Sequence, residues 1–222
     1  MAFIHRTTME PGKLELLAGW LPSRSWYRGA GAPELAKAGG FRLDDPRGEV
    51  GVEFMVVTDG ADGGGPVTYL VPLTYRGAPL EGAAEALVGT SEHGVLGRRW
   101  VYDGCQDPVL VAELAALVEG RAEPQAQGES DTPDRDIVRS FSGTPTPSGA
   151  VVPGAAADGT DGTEVPLPGG ELRLHRVLTP ASDGAGTPPE GALGHVAGHW
   201  RLPDGTPVRG LFATVHPARS GA

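Results

Sequence analysis

The sequence predicts an α+β protein in which an antiparallel sheet with packed helices is followed by a small β-rich subdomain. Three observations support this fold class. Two strand-like runs, VGVEFMVVTD and PVTYLVPLTYRG, flank the turn DGADGGG. The segment DPVLVAELAALVEG has the clearest helical pattern in the chain. The closing segment LGHVAGHWRLPDGTPVRGLFATVHPA is typical of two strands joined by the turn PDGT.

The N-terminal elements are a short helix and a first strand. Residues 11–21, PGKLELLAGWL, place leucines and a tryptophan at helical spacing, and Pro11 suits the first turn. The loop LPSRSWYRGAG follows, and AGGFRLDD then has the composition of a strand.

The strand VTYLVPLTY alternates in a way that separates its two faces. Tyr69, Val71, Leu73 and Tyr75 share one face, because successive side chains of a strand point to opposite sides. Pro72 has no backbone N–H to donate, so we expect an edge position or a bulge there.

The next segment, EALVGTSEHGVLGRRWVYDG, predicts one turn of helix and then a strand that ends at Tyr102. For the helix after it, Asp107 is the expected N-cap, Pro108 the first helical residue and Gly120 the C-terminal glycine. The buried stripe of that helix is expected to be Val109, Leu110, Leu114, Leu117 and Val118.

Composition divides the chain into three parts. We expect residues 1–121 to form the first domain and 122–170 to be a Gly/Pro-rich linker, partly disordered, because this range has little apolar content. Residues 171–217 are expected to form the β-rich subdomain, beginning with the strand ELRLHRVL and broken by TPASDGAGTPPEGA.

Charge and cysteine content exclude several classes of function. The formal net charge is -10, with 18 basic and 28 acidic residues, which disfavours binding to nucleic acid or anionic membranes. A single cysteine, Cys105, fits a reducing compartment, and the sequence shows no signal peptide or membrane span. We therefore expect a cytoplasmic protein.

The aromatic stretch SRSWYRG is the first candidate binding site. Trp26, Tyr27 and Arg28 could stack on a sugar or bind a partner protein. Alternatively, Trp26 seals the open end of the sheet and Arg28 is solvated. Possible neighbours in a binding surface are Tyr69, Tyr75 and Trp100.

Other polar residues have structural interpretations. Asp103 and Asp107 could form an acid pair beside a carbohydrate platform, but a turn and a helix cap explain them better. His195 and His199 share one strand face without a third ligand, so we expect no metal site there. Cys105 is expected to be a small buried residue.

The glycine-rich and Asp-Gly segments carry no ligand signature. GAGAPELAKAGG fits neither nucleotide-binding pattern, and the Asp-Gly pairs lack the spacing of a calcium loop. No G-x-S-x-G nucleophile motif occurs, so no catalytic residue is assigned.

The first 120 residues resemble the N-terminal cap domain of actinobacterial maltokinases, enzymes that phosphorylate maltose in the trehalose-to-glycogen route. The stretches WLPSRSWYRG, VTYLVPLTYRG, ALVGT and WVYDGCQDPVLVAELAALV carry the resemblance, in their order and spacing. It implies a curved antiparallel sheet with packed helices, similar to cystatin or monellin.

The second half resembles the strands of a degenerate kinase N-lobe. GELRLHRVL looks like an early N-lobe strand with Arg173 at the position of the nucleotide-phosphate lysine, and the closing hairpin looks like the strands before the kinase hinge. No HGD-type catalytic loop occurs, and we expect no room for the C-lobe that holds Mg²⁺ and the acceptor.

Three functional hypotheses follow from the resemblance. The first is a non-catalytic binding or regulatory protein of maltose, trehalose or glycogen metabolism, with an α-glucan or trehalose enzyme as partner and no cofactor. The second is a subunit of a split sugar kinase, in which ATP and Mg²⁺ would bind near Arg173. The third is a carbohydrate-binding module for an oligosaccharide.

Overall fold

The structure is a computed structural model that describes residues 8–60, 65–129, 131–145, 155–182 and 187–218. The described residues form a mostly-β protein with two α-helices. The helices are α1 (Lys13–Trp20) and α2 (Pro108–Glu119). The strands are β1 (Met9–Glu10), β2 (Leu35–Asp44), β3 (Gly51–Asp59), β4 (Val67–Arg76), β5 (Leu87–His93), β6 (Gly97–Asp103), β7 (Gln125–Ala126), β8 (Val138–Phe141), β9 (Ala157–Asp158), β10 (Gly162–Leu167), β11 (Gly170–His175), β12 (Val177–Leu178), β13 (Gly194–Arg201) and β14 (Pro207–Pro217).

These strands form two antiparallel sheets. The first sheet has the order β1-β5-β6-β4-β3-β2-β7, with β12 paired to β4, and it curls into a half-barrel. The second sheet has six strands in the order β8-β13-β14-β11-β10-β9. The predicted antiparallel sheet with packed helices is therefore present, although strand predominates over helix.

The two faces of the first sheet carry different layers. On the α1 face, α1 and the following loop cover a cluster that contains Leu17, Met55 and Val71. On the α2 face, Phe41 and Phe54 stack with ring centroids 4.4 Å apart and belong to the largest core cluster. That cluster also takes residues from α2 and from the second sheet, so the two sheets share one hydrophobic core.

Both helices follow their local sequence signals. Asp107 caps α2 by accepting a hydrogen bond from the Val109 N–H (3.0 Å), and Gly120 ends the helix with φ of 82°. Helix α1 begins two residues later than Pro11, with Gly12 at its N-cap, so the first-turn assignment of Pro11 was wrong.

Two predicted strands are in fact divided. The run that ends at Tyr102 is the hairpin β5–β6, because the His93 Nδ1 accepts hydrogen bonds from the N–H groups of Val95 and Leu96 and reverses the chain. A short 3-10 turn, Ala84–Ala86, precedes it as expected.

The second divided strand is ELRLHRVL, which separates at Arg176 into β11 and β12. Strand β11 pairs with β14 in the second sheet, whereas β12 pairs with β4 in the first sheet. The chain therefore crosses from one sheet to the other at Arg176.

Pro72 lies in an interior strand, not at an edge. On one side β4 pairs with β3 along its whole length. On the other side β4 pairs with β12 at Thr68 and Tyr69 and with β6 from Leu73 onward. Pro72 falls in the gap between these two neighbours, where its missing N–H breaks no ladder pairing on that side.

The range 122–170 contains β7, β8, β9 and β10 among its described residues. Val165 and Leu167 of β10 join the shared core, which is the reason this part of the chain pairs into a sheet. Residues 130 and 146–154 of the range lie outside the described part, as do residues 61–64 of the DGADGGG turn. The closing hairpin is confirmed as β13 and β14, joined at the PDGT turn.

Among the described residues, neither helix is long and apolar enough to span a membrane.

Candidate functional site

The stretch SRSWYRG lies in a loop that crosses the α1 face of the first sheet. The loop starts with a 3-10 turn, Leu21–Ser23, directly after α1. Trp26 then inserts between Trp20 and Tyr69, with ring centroids 5.8 Å and 5.9 Å away, and has no exposed surface. This is the packing expected of a tryptophan that seals the sheet.

Tyr27 and Arg28 are the next two residues of this loop, and they are more exposed than Trp26. The Tyr27 hydroxyl donates to the Asp59 Oδ2 (2.7 Å), and the Arg28 N–H donates to the hydroxyl of the fully buried Tyr69 (3.0 Å). The Arg28 side chain is exposed and Tyr27 is half-buried. The backbone here is thus fixed by buried groups, while the Arg28 guanidinium faces solvent. We call the residues Tyr27 and Arg28 the loop surface.

Below Trp26 lies an arginine that the sequence analysis did not identify. The Arg176 guanidinium carbon is 4.9 Å from the centroid of the Trp26 ring, and Arg176 is fully buried. Arg176 Nη2 donates to both carboxylate oxygens of Asp103 (2.7 and 2.6 Å), and its Nε donates to the Thr163 hydroxyl (2.7 Å). Burial by itself would lower the pKa of Arg176, but the adjacent Asp103 charge raises it, so the ion pair stays charged.

Arg176 therefore joins three parts of the chain. Trp26 belongs to the stretch SRSWYRG, and Asp103 belongs to WVYDGCQDP. Thr163 lies in β10, and Arg176 directly follows β11, the strand that pairs with β10. No local sequence pattern predicts a fully buried arginine, because its partner lies 73 residues away.

Asp103 and Asp107 have the structural roles that were predicted. Asp103 Oδ1 also accepts from the Cys105 N–H (3.2 Å), which closes a 3-10 turn. Asp107 adds a bidentate ion pair with Arg76, at 2.7 Å for both contacts. Cys105 is buried as expected, and burial raises the pKa of its thiol.

Tyr75 lies apart from the loop surface, beside a buried carboxylate. Its hydroxyl donates to the Glu53 Oε2 (2.5 Å), which also accepts from Lys13 Nζ (2.5 Å), and Gln127 Nε2 donates to the Glu53 Oε1 (2.8 Å). Burial raises the pKa of Tyr75, and the Glu53 charge raises it further. Burial opposes ionisation of Glu53, but Lys13 and the three hydrogen bonds lower its pKa overall.

Trp100 is separate from the loop surface and from the residues that bond to Glu53. It packs beside Tyr102 and Ala86 in a small cluster, and its neighbour in β6, Val101, points to the α1 face instead. Of the six predicted binding residues, the structure therefore brings Trp26, Tyr27, Arg28 and Tyr69 together, and it places Tyr75 and Trp100 elsewhere.

Arg173 lies on the solvent-facing side of the second sheet. Its guanidinium forms ion pairs with Asp161 and with Glu164, the latter at 3.2 Å. In the register of the sheet, Arg173 lies opposite Thr214, and Thr214 lies opposite His195. These three residues form a polar row across neighbouring strands. His195 Nδ1 is 2.7 Å from the Ser140 hydroxyl, at the edge of the row.

His195 and His199 do not share a partner. His199 Nδ1 is 3.7 Å from the Asp136 Oδ2, and a register shift separates the two histidines along β13. In the part of the chain that the structure describes, no three histidine, cysteine or acidic residues are grouped to hold a metal ion.

Comparison with known proteins identifies the first part of the chain. The maltokinase N-terminal cap domain family matches residues 20–107, a range that contains Trp26, Tyr69 and Asp103. No curated protein matches the chain. The matched domain implies a link to maltokinase and α-glucan metabolism. Residues 20–107 of this chain are thus a maltokinase N-terminal cap domain.

Proposed function

We propose that the chain is a non-catalytic binding or regulatory protein of α-glucan metabolism. The cap domain supports the link to α-glucan metabolism. The ion pairs of Arg173 support the proposal that the chain does not catalyse phosphoryl transfer. In this proposal the first sheet corresponds to a cystatin- or monellin-like cap, and the second to a degenerate kinase N-lobe. The Arg173 side chain is one-third exposed and is paired with Asp161 and Glu164. A nucleotide phosphate would have to compete with these two carboxylates, which repel it.

The loop surface is the proposed contact for a partner. Arginine and tyrosine are frequent at the energetic centres of interfaces. The backbone of Arg28 is held by Tyr69, and the Tyr27 hydroxyl by Asp59, so little order would have to be gained on binding. The partner in this proposal is an enzyme of α-glucan or trehalose metabolism in the cytoplasm, and the acidic chain has no role at nucleic acids or membranes.

The experiment is an interaction and activity measurement with the purified chain. The wild type and the variant Arg28→Glu are immobilised, exposed to native lysate, and the captured proteins are identified by mass spectrometry. We expect the wild type, and not the variant, to retain an α-glucan or trehalose enzyme. Phosphorylation of maltose or glucose by the purified chain with Mg-ATP would overturn the proposal.

A split sugar kinase is the second candidate, and the position of Arg173 favours it. The Arg173 side chain is one-third exposed, in the strand that resembles the N-lobe phosphate strand, and it shares a row of the sheet with Thr214 and His195. A ligand that binds only the folded state raises the melting temperature. We expect no Mg-ATP-dependent rise under the first proposal, whereas a rise that Arg173→Ala abolishes would support the split kinase.

A carbohydrate-binding module is tested by affinity electrophoresis in glycogen-containing gels. Retardation of the wild type that is lost in Arg28→Ala would place an oligosaccharide, and not a protein, on the loop surface.

A further inference from the structure

A second arginine, Arg24, lies close to the loop surface in the sequence, and its neighbours hold it in place. Its guanidinium carbon is 4.9 Å from the centroid of the Trp20 ring. Arg24 Nε and Nη2 both donate to the Ser23 hydroxyl (3.1 and 2.9 Å), which itself donates to the Trp20 carbonyl oxygen (2.7 Å). The Nη1 group and one Nη2 hydrogen of Arg24 make no hydrogen bond among the described residues, so they are available to a ligand.

A tight turn connects Arg24 to Arg28. The Tyr27 N–H donates to the Arg24 carbonyl oxygen (3.1 Å) and closes the turn, and the Arg28 N–H is held by the buried tyrosine described above. Within the turn, the Ser25 hydroxyl donates to the Gly159 carbonyl oxygen (3.0 Å) in the loop between β9 and β10. The backbone between the two arginines is therefore ordered before any partner binds, which lowers the entropy cost of binding. We call Arg24 and Arg28 the arginine pair.

The arginine pair is not neutralised by the chain itself. Within the described ranges, neither guanidinium forms an ion pair with an acidic residue. Other arginines of the chain are paired with carboxylates: Arg76, Arg98, Arg121, Arg173 and Arg176. Residues 16–33 contain no Asp or Glu, although the chain has 28 acidic residues against 18 basic ones. The turn is thus a positively charged part of an acidic protein, and this charge attracts an anionic partner.

The surface around the arginine pair is open. Pro22, Ser23, Ser25 and Arg28 are exposed, and Arg24 is half-buried, so the turn is not the wall of a deep pocket. Small ligands are usually bound in concave sites that cover most of their surface. An open surface with ordered arginines and a half-buried tyrosine is more typical of a protein–protein interface. The exposure therefore favours a protein partner over a small anion.

We propose that the partner binds this turn through an acidic segment, whose carboxylates pair with Arg24 and Arg28. This inference rests on the proposed function, because it names the chemistry of the protein that contacts the loop surface. A guanidinium group presents parallel N–H donors that match the two oxygens of a carboxylate. Arg24 is the residue added to the site: it stacks on Trp20 and still has donors for a ligand.

The test uses the full chain with an oligoglutamate peptide as the probe and an oligolysine peptide as the control of opposite charge. NMR of the nitrogen-15-labelled chain follows the Nε–H signals of the arginines and the indole N–H signal of Trp20. We expect oligoglutamate to shift the signals of Arg24, Arg28 and Trp20 until they saturate. About 0.5 M NaCl should remove the shifts, because salt screens exposed charges. No saturable shift at the arginine pair, or equal shifts with oligolysine, would overturn the inference.

Three glutamine variants measure the contribution of single arginines. Arg24→Gln and Arg28→Gln each remove one charge, and we expect each to weaken oligoglutamate binding about threefold to fivefold. Arg98→Gln is the matched control, because Arg98 is exposed and already paired with Glu92, so the affinity should stay unchanged. The Arg28 side chain is exposed, so Arg28→Gln keeps the test valid if the stacking of Arg24 proves necessary for folding. Wild-type affinity in folded Arg24→Gln, or in Arg28→Gln, would contradict the arginine pair.

Inorganic phosphate tests the alternative of a small phosphorylated ligand. At equal concentration, phosphate should shift the signals of the arginine pair less than oligoglutamate does, and larger shifts with phosphate would overturn the inference.

The capture experiment separates this inference from the proposed function. Oligoglutamate binding at the arginine pair without capture of an α-glucan or trehalose enzyme would support the acidic segment and overturn the proposed metabolic partner. Capture that Arg28→Glu abolishes, without any oligoglutamate binding, would keep the proposed function and overturn the acidic segment.

Discussion

The Arg176 guanidinium lies 4.9 Å from the centroid of the Trp26 ring and donates two hydrogen bonds to Asp103. Trp26 and Asp103 belong to the cap domain, whereas Arg176 lies outside residues 20–107. The buried Asp103 charge of the cap domain is thus compensated by a residue from beyond it. This contact, together with the shared core, makes the second sheet part of what stabilises the cap domain.

The substitution Arg176→Met tests this contact. The change leaves Asp103 buried and without its cation, and we expect the free energy of unfolding to fall by about 3–5 kcal/mol. Urea denaturation followed by tryptophan fluorescence measures the loss. Arg98→Ala is the control, because Arg98 is paired with Glu92 and both side chains are well exposed, and it should cost less than about 1 kcal/mol. A similar effect of both substitutions would show that Arg176 is not needed to neutralise Asp103.

At the loop surface, we expect Tyr27 to contribute to stability and Arg28 to contribute to binding of the partner. Tyr27→Phe removes a hydrogen bond to the Asp59 carboxylate and is expected to cost about 1–2 kcal/mol. Arg28→Ala should change stability by less than about 0.5 kcal/mol, because its side chain is exposed, but should abolish capture of the partner. Thermal unfolding and the capture experiment measure the two effects. Loss of capture in Tyr27→Phe with retention in Arg28→Ala would contradict the assignment of Arg28.

Sequence patterns anticipated the elements whose signals are local. Asp107, Pro108 and Gly120 define α2 through neighbouring residues, and the PDGT turn defines the last hairpin in the same way. The burial of Trp26 followed from the need of a small sheet for apolar bulk. These features depend on contacts that a window of a few residues contains.

The features that were missed depend on distant pairing. ELRLHRVL has the composition of one strand, and only the positions of β4 and β14 show why it divides at Arg176. The strands between residues 122 and 170 pair with β2, β11 and β13, and Val165 and Leu167 of β10 join a core whose other members come from distant parts of the chain. In the Glu53 network, Gln127 donates to Glu53 across 74 positions of the chain, a separation that no local spacing predicts.

Acid should destabilise the second sheet through His175. Its Nε2 is 3.3 Å from the Thr214 hydroxyl, which is also 3.1 Å from the His216 Nε2, and the charged groups facing it are Arg173 and Asp161. Burial lowers the pKa of His175 from 6.5 to about 4, and Arg173 and His216 add to this while Asp161 opposes it.

The sign follows from proton uptake by the unfolded chain. Between pH 6.5 and about 4 the unfolded chain binds a proton at His175 that the folded chain does not, so stability falls as the pH falls. The loss reaches at most about 3 kcal/mol. Urea denaturation at pH 7.0 and 4.5 measures it, and His175→Gln should reduce the difference between the two pH values. An unchanged difference would assign the acid sensitivity to other groups.

Gly40 should be among the positions of the cap domain least tolerant of a side chain. Its φ is +136°, and a Cβ built there would lie 2.2 Å from the Phe54 carbonyl oxygen and 2.8 Å from the Gln127 Nε2. The carbonyl belongs to the paired strand β3 and cannot move without breaking the β2–β3 ladder, so Gly40→Ala is expected to cost about 3 kcal/mol or more. Gly48→Ala is the matched control, since Gly48 also has a positive φ, +71°, but has no atom within 4 Å of the added Cβ. It should cost about 1 kcal/mol from backbone strain alone. Urea denaturation of both variants gives the difference, and equal costs would mean that the approach of Gly40 to Phe54 is relieved by movement of β2.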